Sequence, residues 1–236
     1  MPSLEVSGVT VTFGGKRALD GVAIAAEPGH VTGLIGPNGA GKSTLFDVIC
    51  GLRKPVAGRI RLDGRDVTRL GPARRARCGM ARTFQRLELF GRLSVRENLL
   101  VAAELGPERG RAERAVTDLL ARLDLAEIAD RPAHELSTGT GRLVEVGRAL
   151  AVKPRFLLLD EPAAGQDAEE TRRFAALLRA LADDGTTVIL VEHDMSLVMG
   201  VCDQVHVLDL GKIISSGPPE VIRRDRTVLA AYLGDA

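Results

Sequence analysis

The feature that most constrains this chain is the glycine-rich segment GPNGAGKST at residues 36–44. It satisfies the pattern G-x-x-x-x-G-K-[ST], and it lies between an apolar run over 30–35 and a helix-like run over Lys42–Cys50. In this strand–loop–helix context, glycines let successive backbone N–H groups point at phosphate oxygens, and the helix N-terminus adds a positive field. The segment therefore predicts a phosphate-binding loop in which Lys42 contacts phosphates and Ser43 binds Mg²⁺. The alternative is a glycine turn followed by an exposed lysine.

A second feature is the apolar run Phe156–Leu159, which ends at two carboxylates, Asp160 and Glu161. Because side chains alternate along a strand, the two acids are expected on opposite sides, which argues against a paired acid and base acting on one bond. We interpret Asp160 as part of an Mg²⁺ shell and Glu161 as the residue that holds a water in line with a γ-phosphate. An ordinary strand end with solvated acids is the alternative, and it is favoured only if the run is taken alone.

Composition excludes several classes of protein. A chain of 236 residues can bury a full core, and its formal net charge of +1 gives no reason to expect nucleic acid as a partner. Six Phe, one Tyr and no Trp also argue against a base-stacking platform. The three cysteines form neither a disulfide framework nor a zinc motif. No signal-peptide pattern or membrane-length apolar run occurs, so we expect a cytoplasmic protein that reaches the membrane through partners.

Hydrophobic patterning predicts one α/β domain over residues 1–236. Strand-like alternation over 4–35 precedes the first helix, and strands and helices alternate again after residue 155, which indicates a parallel sheet covered by helices. Between them, 87–150 reads as an inserted helical subdomain, with a capping box at Ser94. A terminal helix is expected over 219–232.

Further motifs follow the phosphate-binding loop in a fixed order. They are Gln85 in RTFQR, LSTGT at 136–140, FLLLDEP at 156–162, AGQD at 164–167 and His193 in LVEHD. In this order and spacing, the chain resembles the ATP-binding subunits of ABC transporters over essentially its whole length. The resemblance implies a P-loop NTPase with a RecA-like core, an N-terminal antiparallel β subdomain and a helical subdomain. It also implies hydrolysis of ATP with Mg²⁺.

The resemblance assigns a role to each matching residue. The catalytic residues are Glu161, His193 and Gln85. The nucleotide-binding residues are Phe13, Gly36, Pro37, Asn38, Gly39, Ala40, Gly41, Lys42, Ser43, Thr44, Ser137 and Gly139. The metal-binding residues are Ser43, Gln85 and Asp160. In this scheme Phe13 stacks on adenine, His193 contacts the γ-phosphate, and Asp167 links the two sites of a dimer. Without the family, His193 reads as a strand-end histidine and Phe13 as a core residue.

The signature-like segment departs from the family pattern. The usual LSGGQ reads LSTGT here, with Thr138 in place of a glycine and Thr140 in place of glutamine, followed by Gly141. Since the signature serves the nucleotide held by a partner subunit, we expect this chain's own loop to be competent and its signature to serve the opposite site poorly. In a heterodimer the two sites would then be unequal.

Finer similarities lie in ARTFQRLELF, LLLDEPAAG, VEHDMSLVMGVCD and the tail GKIISSG…AAYLG, which resemble the ATPases of branched-chain amino-acid importers. The resemblance implies a second ATPase subunit, as heterodimer or homodimer, two membrane permeases and, indirectly, a periplasmic or extracellular solute-binding protein. It places the chain on the cytoplasmic face of the membrane. The alternatives are an exporter and an importer of urea or amides. A role on DNA ends or ribosomes would need a coiled-coil insertion or a second phosphate-binding loop.

An arginine cluster stands out in the first half of the chain. Its members are Arg69, Arg74, Arg75, Arg77, Arg82 and Arg86. Because no apolar helix face accompanies the cluster, we expect a solvated helix face or a docking surface near the permease rather than a lipid-binding site.

Overall fold

A computed structural model describes residues 4–107 and 109–233. Within these residues the strands are β1 (Leu4–Phe13), β2 (Lys16–Ala26), β3 (Val31–Ile35), β4 (Ala57–Leu62), β5 (Arg65–Asp66), β6 (Met80–Arg82), β7 (Phe156–Asp160), β8 (Thr187–Val191), β9 (Gln204–Asp209) and β10 (Lys212–Gly217). The helices are α1 (Lys42–Cys50), α2 (Pro72–Arg77), α3 (Val95–Ala103), α4 (Ala112–Arg122), α5 (Thr138–Ala151), α6 (Ala168–Asp183), α7 (Met195–Val201), α8 (Pro219–Ile222) and α9 (Arg226–Leu233).

The strands form two sheets. One is antiparallel, with the order β2-β1-β4-β5, and the other has the order β10-β9-β3-β8-β7-β6. In the larger sheet every neighbouring pair from β9 to β6 is parallel, and only β10 pairs antiparallel with β9. The predicted α/β class, with an N-terminal antiparallel sheet and a parallel core sheet, is therefore confirmed.

Both faces of the larger sheet are buried, which explains why its strands read as unbroken apolar runs. Along β7, Phe156 and Leu158 pack into one core with α1 and the antiparallel sheet. Leu157 and Leu159 point the other way, into a second core with α6 and α7. Because side chains alternate along a strand, β7 contributes residues to both cores. None of the helices in residues 4–107 and 109–233 is long and apolar enough to cross a membrane.

Helices α3, α4 and α5 occupy the middle of the chain and pack against one another. Helix α3 begins with the predicted capping box, in which Ser94 accepts from the Glu97 N–H and Glu97 accepts from the Ser94 N–H. The expected terminal helix over 219–232 is wrong as a single element. It is two helices, α8 and α9, because the Asp225 carboxylate accepts the Thr227 N–H and begins a new turn.

Arg75 contradicts the expectation of a solvated arginine face. Its side chain is fully buried, and the guanidinium donates to the carbonyl oxygens of Val48 and Ile49, each at 2.6 Å, and of Leu70 and Thr68, each at 3.0 Å. Burial lowers the pKa of Arg75. Two of these carbonyls lie in the last turn of α1, where helix carbonyls lack partners within the helix. Arg75 therefore closes the C-terminus of the helix that follows the glycine-rich loop.

We expect Arg75→Met to lower the free energy of unfolding by about 3 kcal/mol, because it leaves buried carbonyl groups without donors. Urea denaturation followed by circular dichroism measures the change. The control is Arg74→Met, an exposed position on the same helix, where we expect a change within about 0.5 kcal/mol. Equal losses in the two variants would contradict a specific role for the Arg75 contacts.

Candidate functional site

The carboxyl end of β3 continues directly into the glycine-rich loop. All five residues of β3 are buried, and the strand lies between β8 and β9. Gly36 leaves the strand at φ 151°, where a Cβ would lie 1.9 Å from the carbonyl oxygen of Leu208. Only glycine fits so close an approach. Helix α1 then begins at Lys42, so the free N–H groups of its first turn lie at the loop.

Lys42 is buried inside this loop. Its ammonium donates to the carbonyl oxygens of Gly36 at 2.6 Å and Pro37 at 3.0 Å. Burial lowers the pKa of Lys42, while the charges of Glu161 and Asp160 raise it. An ammonium has three N–H donors, so two contacts with the loop leave the group able to bind a phosphate oxygen as well.

A cleft of about 310 Å³ opens at the loop. It is lined by Ala18, Asn38, Gly39, Ala40, Gly41, Lys42, Ser43, Thr44, Gln85, Glu161 and His193. The sequence-predicted residues that do not line it are Phe13, Gly36, Pro37, Ser137, Gly139 and Asp160. The structure therefore brings the glycine-rich loop, Gln85, Glu161 and His193, which lie in four separate segments, to one cleft.

Glu161, His193 and Gln85 meet on one wall of the cleft. His193 Nε2 lies 2.8 Å from Glu161 Oε1, and Gln85 Nε2 donates to the same oxygen at 3.4 Å. Glu161 has φ 50°, a left-handed conformation that is uncommon outside glycine and often marks functional sites. It lies beyond the last residue of β7, so the strand alternation used to separate it from Asp160 does not extend to it. The expectation that the two carboxylates lie on opposite sides therefore stays a prediction.

Asp160 ends β7 and is buried. Its Oδ2 atom lies 3.2 Å from Arg82 Nη2, while Arg82 Nη1 lies 2.7 Å from Asp47 Oδ1 on α1. Its backbone N–H donates to the Thr83 hydroxyl at 3.1 Å. Burial raises the pKa of Asp160, and the Arg82 charge opposes this shift. Arg82 thus joins β6, β7 and α1, and the expectation that it lies on a solvated face is wrong.

Two of the predicted Mg²⁺ donors, Ser43 and Gln85, line the cleft. Asp160 does not line it, and its carboxylate is paired with Arg82 at 3.2 Å. In the part of the chain that the structure describes, no group of three or more His, Cys, Asp or Glu residues is arranged to hold a metal. A single carboxylate with hydroxyl and amide oxygens fits Mg²⁺, which takes its remaining ligands from phosphates and water.

Helix α5 holds the segment 84–90, which contains Gln85. Arg142 donates to the carbonyl oxygen of Phe84 at 2.7 Å and forms a buried ion pair with Glu145 at 2.8 Å. Glu145 in turn accepts the backbone N–H of Glu88 at 2.8 Å. Burial raises the pKa of Glu145, and the Glu88 N–H and Arg142 oppose the rise. These contacts couple the position of Gln85 to the helix that begins at the LSTGT segment.

The LSTGT segment forms the N-terminus of α5. Ser137 is the N-cap, and its hydroxyl accepts the Thr140 N–H at 3.2 Å and lies 2.9 Å from the Thr140 hydroxyl. A Cβ on Gly139 would lie 2.9 Å from the carbonyl oxygen of Gly165. The glycine therefore allows α5 to pack directly against the AGQD loop. Thr140 supplies a second hydrogen-bonding group to the Ser137 hydroxyl.

Asp167 is the N-cap of α6 and forms a capping box with Glu170. Its carboxylate accepts the N–H groups of Glu169 and Glu170, each at 2.8 Å. The Glu170 N–H lowers the pKa of Asp167, and the Glu169 N–H acts in the same direction. The carboxylate is thereby held at the exposed end of the AGQD loop, where we predicted contact with a partner subunit.

Phe13 lies at the end of β1 and is 43% exposed. The Arg53 guanidinium lies 4.2 Å from the centroid of its ring. An arginine over one ring face forms a cation–π contact. The reading of Phe13 as a core residue is therefore wrong, and stacking on adenine stays a prediction.

Sequence reasoning missed three residues that shape the site. Ala18 lines the cleft from β2, and the buried charges of Glu192 and Arg142 hold the segments that carry His193 and Gln85. The only signal for Glu192 was an acid directly after the apolar strand Thr187–Val191. For Arg142 no sequence pattern distinguishes a buried arginine from an exposed one.

Comparison with known proteins agrees with this architecture. Residues 19–164 match the ABC transporter family, and residues 212–236 match the family described as branched-chain amino acid ATP-binding cassette transporter. The chain is 41% identical to the high-affinity branched-chain amino acid transport ATP-binding protein BraF of Pseudomonas aeruginosa, over 100% of this chain and 99% of that protein. It is 40% identical to the lipopolysaccharide export system ATP-binding protein LptB of Acidithiobacillus ferridurans, over 98% and 97% of the two chains.

A solved structure shares the whole fold. It is the ADP conformation of an ATP-binding cassette of an ABC transporter, with a TM-score of 0.90, 34% identity and complete coverage of both chains. The family match covers more than half of the chain, and the relatives align along its full length. This chain belongs to the ATP-binding subunits of the ABC transporter family.

Proposed function

We propose that this chain hydrolyses ATP to energise an importer of amino acids, specifically branched-chain ones, through separate permease subunits. The observation that carries the proposal is the full-length similarity to BraF together with the tail match over 212–236. The similarity to LptB favours an exporter as the second candidate. The tail match supports the importer, because it concerns a region outside the nucleotide-binding motifs.

In the proposed mechanism the loop N–H groups and Lys42 bind the phosphates of ATP. Glu161 orients a water in line with the γ-phosphate, and His193 holds Glu161 through the 2.8 Å contact. Ser43, Gln85 and Asp160 are the residues that would hold Mg²⁺, which supplies positive charge to the β- and γ-phosphates when bound. Because Gln85 also contacts Glu161, a shift of segment 84–90 alters the position of the catalytic carboxylate.

We expect Glu161→Gln to bind ATP normally but to lower turnover at this chain's own site by about 100-fold or more, because an amide orients the water poorly. In cells lacking their own copy of this chain, the variant should fail to restore uptake of radiolabelled leucine, which the wild type restores. Glu220→Gln, at an exposed position on α8, is the control and should behave as the wild type. Leucine uptake that does not depend on the wild-type chain would contradict the importer proposal. Normal turnover of Glu161→Gln would contradict the role of Glu161 in orienting water.

We also propose a dimer in which Ser137 and Gly139, at the N-terminus of α5, face the γ-phosphate bound by a second ATPase subunit. The altered signature favours a heterodimer with unequal sites. The Thr140 hydroxyl lies 2.9 Å from the Ser137 hydroxyl and competes with phosphate for it. Asp167 contacts the partner from the neighbouring AGQD loop.

Thr140→Val should raise turnover at the opposite site about fivefold, since it frees the Ser137 hydroxyl from a hydrogen bond of about 1 kcal/mol. The measurement uses the assembled complex with Glu161→Gln in this chain, so that only the opposite site turns over. Thr140→Ser retains the hydroxyl and is the matched control. Equal rates for the Val and Ser variants would contradict competition for Ser137.

The permease is proposed to dock on segment 84–90. Phe84, Leu87 and Phe90 are each more than 40% exposed there, and α5 holds the segment from behind. Clustered exposed apolar side chains mark interaction surfaces. A cytoplasmic helix of the permease seated on them would displace Gln85 directly.

Leu87→Asp should reduce co-purification of the permeases with the tagged chain by about tenfold, because a charge is buried at the interface. ATP binding should not change. The control is Leu210→Asp, an exposed leucine in the β9–β10 turn with φ 45°, a conformation that aspartate tolerates. Equal recovery of membrane subunits with both variants would place the docking surface elsewhere. Recovery of export-type membrane subunits with the wild type would support the exporter.

A further inference from the structure

Glu192 is a buried carboxylate that the mechanism above does not use. It follows β8 directly and precedes His193, and only 5% of the residue is exposed. A buried carboxylate is costly unless it accepts hydrogen bonds. The groups that satisfy it therefore indicate why it is there.

The partners of Glu192 are backbone N–H groups of two different loops. Its Oε1 atom accepts the Ala163 N–H at 2.8 Å, in the loop after β7, and its Oε2 atom accepts the His193 N–H at 3.1 Å, in the loop after β8. Burial raises the pKa of Glu192, while these two N–H groups and that of Asp194 lower it. One carboxylate thus links the two loops that carry the catalytic pair.

A second link lies beside it. The Glu161 N–H donates to the carbonyl oxygen of Val191 at 2.9 Å. The two loops joined in this way carry Glu161 and His193, whose side chains are in contact at 2.8 Å. The Ala163 loop continues to Gly165, against which Gly139 of α5 packs.

We infer that Glu192 is a positioning residue that fixes the loop after β7 against the loop after β8, so that Glu161 and His193 keep the geometry required for hydrolysis. The inference rests on the proposed roles of Glu161 and His193. Since the same loop leads to Gly165 and Asp167, Glu192 also connects the dimer-facing loop to His193.

The chemistry of the link requires a carboxylate. Both oxygens accept from N–H donors that point toward them from opposite loops. An amide of the same shape has one acceptor oxygen and one NH₂ group. The NH₂ group would therefore face the backbone N–H donor of one of the two loops and could not accept from it. Glu192→Gln therefore removes one side of the link with little change in volume.

The test compares Glu192→Gln with the wild type in the assembled transporter complex, with the second ATPase subunit's own catalytic site inactivated so that only this chain's site turns over. We expect kcat to fall about tenfold, as for a small misplacement of catalytic groups, with KM for ATP within about twofold of the wild type. In the isolated full chain, amide hydrogen exchange at Ala163 and His193 should become faster. His206→Gln is the matched control: His206 is buried on β9, bonded to Ser216 and to the Ala25 carbonyl, and its loss should lower thermal stability but leave kcat and these amides unchanged.

Three outcomes separate the alternatives. Unchanged kcat in Glu192→Gln, or parallel changes of kcat, KM and thermal stability, would overturn the inference. Normal turnover of Glu161→Gln in the same complex would instead overturn the proposed site assignment on which the inference rests. If Glu192→Gln does not fold, Glu192→Asp replaces it: the shorter side chain keeps the charge but not the reach, and the same loss of kcat at constant KM is expected.

Discussion

Parallel pairing of β3, β8 and β7 is the constraint on which the site depends. In a parallel sheet the carboxyl ends of neighbouring strands lie at one edge, and ligands bind there. The glycine-rich loop follows β3, Glu161 follows β7, and His193 follows shortly after β8. Segments more than a hundred residues apart in sequence therefore meet at one cleft without any long-range sequence signal.

Buried charges hold these segments once the sheet has assembled. Arg75 closes α1, Arg82 joins Asp160 to α1, and the Arg142–Glu145 pair holds segment 84–90. Glu192 does the same for the loops after β7 and β8. In every case the partners include backbone N–H or C=O groups, the Thr83 carbonyl oxygen in the case of Arg82, and contacts to backbone groups hold the chain itself in position. Burial strengthens such contacts and makes an unpaired group costly.

The same contacts also connect two surfaces that are proposed to meet different partners. Segment 84–90, proposed to meet the permease, is held by α5, and α5 begins at the signature that is proposed to meet the partner's nucleotide. The AGQD loop packs on the start of α5 through Gly139 and Gly165. The proposed permease surface, the signature and the AGQD loop are thus joined by direct contacts.

Local sequence was sufficient for the elements that local physics determines. Apolar runs predicted the buried strands, the Ser94 capping box predicted the start of α3, and the phosphate-binding loop was predicted from its glycines between a strand and a helix. The order of motifs was sufficient for the family. Only the tertiary structure decided the environment of each charged residue. The arginine cluster divides into exposed members, the buried Arg75, and Arg82, whose side chain is 8% exposed. Whether a charge is buried depends on partners that arrive from distant segments, as Val48 does for Arg75 and Ala163 for Glu192, and no local pattern specifies those partners.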